Sequence, residues 1–282
     1  MRRCFFTVDL EDFYQLQHYQ LHGQIVSVDD SFANALDEIL QLLRRNQIKA
    51  TFFILGVIAK SNPDVLIRIM EDGHEIGSHG MYHLNYRDVA EEVWMNDVQE
   101  SKYLIESVLN KKIVGFRAPF FAAPCNYQKY LEFLSSQGFL YDSSYHVSPF
   151  LKISISELDS GFSFPVEKLK IMELTPSYYS NRIRLPLYGG SYFRIIPTFV
   201  LSYLLNCHKE NLVFYMHPYE IYKTPLIFVN NSSSIFVNIK AKIRTIFYNY
   251  NRKNFMDKVL HLSKSKYKFE TIEKFYYECI NT

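Results

Sequence analysis

Residues 4–12 read Cys4-Phe5-Phe6-Thr7-Val8-Asp9-Leu10-Glu11-Asp12: five residues suited to a buried strand, then three carboxylates within four positions. A strand buried on both faces reads as a short, near-continuous apolar run. Reactive groups in parallel α/β architectures gather where such strands end. The rest of the chain repeats the pattern, with apolar runs at 50–55, 75–77, 113–116, 139–141, 169–174 and 212–216. Amphipathic segments lie between several of them. Asp30 or Ser31 is placed to cap a helix whose Phe32, Ala35, Leu36, Ile39, Leu40 and Leu43 share one face. Asn62-Pro63 opens the next helix and Gly73 closes it, and 127–137 is a third, stopped by Gly138. Strands alternating with helices predict an α/β fold of parallel βα units around a common core.

The 282 residues are 48% hydrophobic and 21% charged, enough for one large domain with a sizeable core and too apolar for disorder. The net charge of +2 gives no global field of the kind that marks a nucleic-acid binder, so no nucleic-acid partner is expected. Asp9, Glu11 and Asp12 cut short the run after Met1-Arg2-Arg3, which therefore reads as a first strand and not an export signal. No stretch reaches the ~18 apolar residues of a membrane span. Cys4, Cys125, Cys207 and Cys279 are scattered without metal-site or disulfide spacing, as in a reducing compartment. A bacterial cytoplasmic protein is the expectation. Residues 240–274 carry a local balance of +7. That asymmetry suits peripheral contact with an anionic membrane or acidic glycan, or a solvated helical face with Phe247, Phe255, Val259 and Leu262 packed on the fold. Oligomeric state is not legible.

Five reactive side chains each follow a different strand: Asp9, His79, Arg117, Asp142 and His217. Ser78-His79-Gly80-Met81-Tyr82-His83 spaces two imidazoles so that a helix or tight turn brings both to one divalent cation. An open metal site takes about three protein ligands, so a carboxylate from the first segment completes the set. Strand alternation pairs Asp9 with Glu11, and Asp12 swings in if the strand has ended. A second carboxylate near the metal can act as general base. Arg117 can hold a carboxylate, and His217 can donate a proton to a leaving amine. The donor set accepts zinc first, with cobalt, nickel, iron and manganese as alternatives.

These segments resemble the polysaccharide deacetylase family, the carbohydrate esterases with a NodB homology domain. The matching stretches are TVDLEDF, TFFILG, EDGHEIGSHGMYH, GFRAPFF, YDSS and FYMHPYE, in the family's order across residues 4–221. The spelling TVDLEDF, with RLPLYGGSYFRIIP and HPYE, is most similar to the branch found in surface-polysaccharide gene clusters. The resemblance implies a distorted (β/α) barrel with seven or eight parallel strands. It implies one domain over 1–282: a core at 4–221 and a basic helical extension at 222–282 packed on the barrel. It also implies metal-dependent removal of an acetyl group from an N-acetylated sugar or glycan. His79, His83 and Glu11 or Asp12 then hold the metal, Asp9 is the base, Arg117 restrains it and His217 is the acid. Asp142-Ser143-Ser144 shapes the site, and Pro119, Phe120 and Leu212 line the acyl pocket. Other amides, such as a formamido sugar or a ureide, and a non-catalytic glycan-binding barrel are the rival readings.

Overall fold

The structure, a computed structural model, describes residues 2–122, 127–145, 163–166, 171–177, 187, 189–229 and 234–280. Nine strands are present among them: β1 (Arg3–Leu10), β2 (Thr51–Ile54), β3 (Glu75–Ser78), β4 (Gly115–Phe116), β5 (Tyr141–Asp142), β6 (Ser163–Val166), β7 (Ile171–Leu174), β8 (Leu212–Met216) and β9 (Lys268–Phe269). They form one curled sheet in the order β6-β7-β5-β4-β3-β2-β1-β8, with β9 beside the start of β1. Only the β6–β7 pair is antiparallel. The seven strands from β7 to β8 are the parallel staves of a distorted α/β barrel.

All seven expected runs contain a strand, with ends shifted by up to two residues where both ends are described. Residues 169 and 170 lie outside the described residues, as do Cys125 and part of RLPLYGGSYFRIIP. The edge strand β6 was not anticipated. It contains Pro165, which lacks a backbone N–H and is tolerated at a sheet edge but not in its middle.

Strand alternation sorts the side chains into two layers. Cys4, Phe6, Val8 and Leu10 of β1, with Phe52 and Ile54 of β2, join the outer core beneath the helices. Phe5, Phe53, Tyr141, Met172, Leu174 and Val213 fill the interior of the curl. Along the inward face of β1 the sequence runs Phe5, Thr7, Asp9. The interior is therefore apolar at the floor and charged at the carboxyl-end rim.

Helix Asp30–Arg45 buries the expected face, but its cap is Asp29, whose carboxylate accepts from Phe32 N at 3.0 Å. Helix Pro63–Glu71 starts after Asn62, and Gly73 follows it at φ +76°. At the floor, helix Ile272–Ile280 seats Ile272 and Tyr276 in the inner cluster. Its first N–H groups bond Thr51 Oγ1 (3.1 Å) and Glu75 Oε2 (3.0 Å). Helix Phe255–Ser263 buries Phe255, Val259 and Leu262, whereas Phe247 stands about half exposed, away from the core expected for it.

Between β7 and β8 the described residues show no ladder. The Ser177 hydroxyl accepts from Val213 N (2.8 Å) and donates to Asn211 O (3.3 Å), and Gly189 bridges to Tyr215. A Cβ on Gly189 would fall 1.9 Å from Tyr215 O, so only glycine allows that approach. No helix among the described residues is long and apolar enough to cross a membrane.

Candidate metal centre and active site

The rim gathers Glu11, His79 and His83 into one buried group whose potential ligand atoms all lie within 4.8 Å of one another. His79 Nε2 is 3.1 Å and His83 Nε2 2.9 Å from the same oxygen, Glu11 Oε1. The carbonyl of Arg117 lies 2.7 Å from His79 Nδ1 and can only accept, so Nδ1 carries the proton. In neutral His79 the Nε2 lone pair then points at a carboxylate oxygen. Two imidazoles and one carboxylate converging in this way fit a divalent metal with an open position. Burial pushes the Glu11 carboxyl up. The charges of His83 and His217 and the bonds from His79 and His83 outweigh burial and hold it well below the usual carboxylate range.

The His79–His83 segment is a tight loop and not a helix. Gly80 turns it at φ +78°, and His83 follows at φ +57°. Asp97 fixes the loop by accepting from Met81 N (2.7 Å) and Tyr82 N (2.9 Å). A Cβ on Gly80 would lie 2.7 Å from Asp97 Oδ2. Asp97 was missed in the sequence because the helix around it, Glu91–Leu109, is rich in acids and none stands out.

Asp9 does not join the metal group. Its Oδ1 pairs with Arg117 Nη1 at 2.6 Å, and Arg117 is fully buried. Arg117 Nη1 also donates to Thr7 Oγ1 (2.7 Å), Nη2 to Ser143 Oγ (2.9 Å) and Nε to Ser143 O (3.2 Å). The guanidinium lies 4.2 Å from the Phe53 ring centroid. So Arg117 is a clamp on Asp9, held from both sides.

Asp12 is corrected as a metal ligand. It caps helix Phe13–His22, accepting from Gln15 N at 3.0 Å, and takes the Tyr222 hydroxyl at 2.7 Å. The strand ends before Asp12, and the helix start takes its carboxylate. Asp142 is corrected as a substrate contact. It follows Tyr141, an inward residue, so alternation turns it to the outer layer, where it is fully buried opposite Glu173. Burial raises both carboxyls of that pair. Asp142 accepts from Ser144 Oγ, which in turn accepts from Ala118 N at 2.7 Å, so it supports the Arg117 turn from behind. Leu212 is corrected as a pocket residue. It sits at the amino end of β8, paired with Cys4, at the far end of the barrel from the rim and turned outward.

Pro119 is buried in a 3₁₀ turn. Phe120 stands exposed at φ +59°, its ring centroid 4.4 Å from that of His83. His217 closes the rim, with Nε2 3.9 Å from Glu11 Oε1 and its ring stacked 4.5 Å from Tyr219. Glu220 accepts from His217 N (3.1 Å) and lies 3.8 Å from Nδ1, while Arg194 Nε is 3.5 Å from Glu220. Burial disfavours the charged His217, but the carboxylates of Glu11, Glu220 and Asp9 prevail and raise it to about 9. Glu220 was missed in the sequence, although it stands three residues after a histidine at a helix start, the spacing of a capping partner. Arg194 carried no such signal.

A family model described as polysaccharide deacetylase matches residues 24–138, and one described as a domain of unknown function, DUF3473, matches 152–277. A chitin deacetylase of Colletotrichum lindemuthianum is 31% identical over 197 residues, covering 67% of this chain and 68% of its own length. A peptidoglycan-N-acetylglucosamine deacetylase of Bacillus cereus is 34% identical over 82 residues, covering 29% of this chain. The chain spans only 38% of that protein's length, and 36% of two further Bacillus cereus proteins of that name. A Mycobacterium smegmatis structure named as a polysaccharide deacetylase superposes with a TM-score of 0.60 at 16% identity, covering 99% of this chain and 91% of its own. The peptidoglycan deacetylase PdaC of Bacillus subtilis superposes with 0.51 at 11%, covering 99% and 92%. These structural likenesses are ones of fold.

Proposed function

The chain belongs to the polysaccharide deacetylase family, and from that premise we propose that it is a metal-dependent hydrolase that removes the acetyl group from an N-acetylated sugar or glycan. One observation carries the reading. Two histidines from one loop and a carboxylate from another converge beside an Arg-clamped aspartate and a third histidine.

A divalent ion held by Glu11, His79 and His83, zinc by the preference of that donor set, supplies Lewis acidity toward the amide carbonyl and acidifies water. Asp9, clamped through Oδ1 by Arg117, uses its other carboxylate oxygen as general base toward the attacking water. The N–H of Phe120, in a turn whose own bonds are made by Phe121 N and Ala122 N, is the donor assigned to the developing oxyanion. His217, stacked on Tyr219 and with the Glu220 carboxylate 3.8 Å from its Nδ1, hands a proton to the departing sugar amine. The exposed Phe120 ring beside His83 offers an apolar wall for the acyl methyl.

The test is acetate release from chitin oligomers by the purified chain, with zinc and after chelation. Metal-dependent release, with His79→Ala losing both bound metal and acetate release, is the expected result. Formate release from a formamido sugar with no acetate from acetamido sugars replaces acetyl by another acyl group. No hydrolysis with metal bound makes the barrel a binding module.

A further inference from the structure

Helix Ile235–Asn249 buries no residue, although more than half of it is apolar. Among the described residues its contacts lie along one side. Thr245 Oγ1 accepts from Phe228 N (3.1 Å), Asn249 exchanges bonds with the backbone of Leu226 (2.9 and 2.7 Å), and Tyr248 packs 4.9 Å from Phe228. At about 100° per residue, Ile235, Ile239, Ile243, Ile246, Phe236 and Phe247 fall in one sector about 120° wide on the opposite side. All six are exposed, Phe236 by 80% and Ile246 by 71%. Lys240 and Arg244 border this stripe on one side and Lys242 on the other. Long basic side chains there can lie along the apolar stripe and raise their charges to its edge.

The helix itself carries charge of one sign, from Lys240, Lys242 and Arg244. From position 221 to 256 the chain contains Lys223, Lys240, Lys242, Arg244, Arg252 and Lys253 and no Asp or Glu. An outward apolar sector flanked by cations is the pattern of a helix lying in the boundary between lipid headgroups and acyl chains. A partner protein would have to match both an unbroken apolar stripe and the positive rim of Lys240, Lys242 and Arg244. An anionic bilayer supplies both at once.

We propose that helix Ile235–Asn249 docks this protein on the surface of an anionic lipid bilayer, with the Ile/Phe stripe inserted and Lys240, Lys242 and Arg244 on the headgroups. The helix adjoins the rim through its inward side. Tyr248 lies 6.3 Å from Tyr219, whose ring stacks on His217. Arg194 donates to the carbonyls of Tyr248 and Tyr250 (3.3 Å to the latter) and reaches Glu220, which orients His217. A helix docked on lipid is thereby linked to the rim through Tyr248 and Arg194.

Vesicle co-sedimentation of the full chain tests this independently of any hydrolytic activity. The probes are phosphatidylcholine vesicles with and without about one third phosphatidylglycerol. Binding to the anionic vesicles only is expected. It should weaken about 100-fold in the Lys240→Gln/Lys242→Gln/Arg244→Gln variant, from the loss of three interfacial cations. It should vanish in Ile239→Ser/Ile243→Ser/Ile246→Ser, whose sites are 48%, 61% and 71% exposed and whose melting temperature should match the parent. Equal binding to both vesicle types, no binding to either, or undiminished binding by the serine variant overturns the proposal. So does a dimer in light scattering that the serine variant abolishes, because a second copy then covers the stripe.

Discussion

Replacing Arg117 by methionine removes a fully buried cation and leaves Asp9, 2% exposed, without its counter-charge. Breaking a buried ion pair by deleting one partner costs about 3–5 kcal/mol, because the remaining charge has lost its solvent and its partner together. Arg117→Met also removes the donors to Thr7 and Ser143, so about 4 kcal/mol is expected. At about 2–4 °C per kcal/mol for a large domain, the melting temperature falls by about 8–16 °C. Asp9→Asn keeps those other bonds and should cost about 3 kcal/mol. Independent sites would put the double variant near 7 kcal/mol, but these two residues share one interaction. Removing both leaves no stranded charge, and the double variant should cost about 4 kcal/mol, a coupling of about 3. Urea unfolding of the four proteins with a common m-value measures it. A double variant that folds where Arg117→Met does not would equally support the coupling. Costs that add within about 0.5 kcal/mol refute the clamp.

Asp12→Ala should lose about 1 kcal/mol through the helix cap while metal content stays at the parent level, and a loss of metal would return Asp12 to the ligand set. His217→Ala should keep its metal and lose about 10²–10⁴ in turnover, as measured by acetate release with parallel metal analysis. The pH test concerns Glu75, which burial raises from 4.5 to about 7. A raised carboxyl favours the protonated form in the folded state. Its stabilising contribution is thus complete below pH 4.5 and lost as pH rises through about 7. Glu75→Gln keeps an acceptor for Thr51 Oγ1 and Glu273 N but cannot ionise. Thermal melts at pH 4.5 and pH 8 should show a smaller decline for the variant than for the parent, and equal declines would exclude Glu75 as the source.

Much of the fold and most of the rim were legible because parallel strands announce themselves as bare apolar runs. β1 and β8 needed no tertiary information, and the inward parity of Asp9, His79, Arg117 and His217 follows from each strand's pleat. The same rule, applied one residue more strictly, would have turned Asp142 outward and put Ser143 beneath Arg117. Leu212 was misplaced for a related reason, since membership of a strand says nothing about which end of it faces the site. The choice between Glu11 and Asp12 depended on where β1 stops and a helix begins, which is a matter of capping and not of pattern. Asp97 and Arg194 act across long sequence separations, and no local spacing records that. The exposed face of helix Ile235–Asn249 was hidden differently: in sequence, an apolar stripe implies a core, and only the packed structure shows it turned away.

The Ser177 clasp has a consequence for the curl as a whole. Along most of its width the sheet is laced by backbone ladders that resist spreading, but between β7 and β8 the described residues offer the Ser177 hydroxyl and a glycine contact in place of a ladder. Any change of girth at that junction leaves the laddered staves in register. His217 follows β8, which is laddered to β1 from Cys4–Leu212 to Val8–Met216, so acid and base ride on neighbouring paired strands. Asp9 and His217 therefore keep a fixed spacing, whatever the breadth of the guest between them.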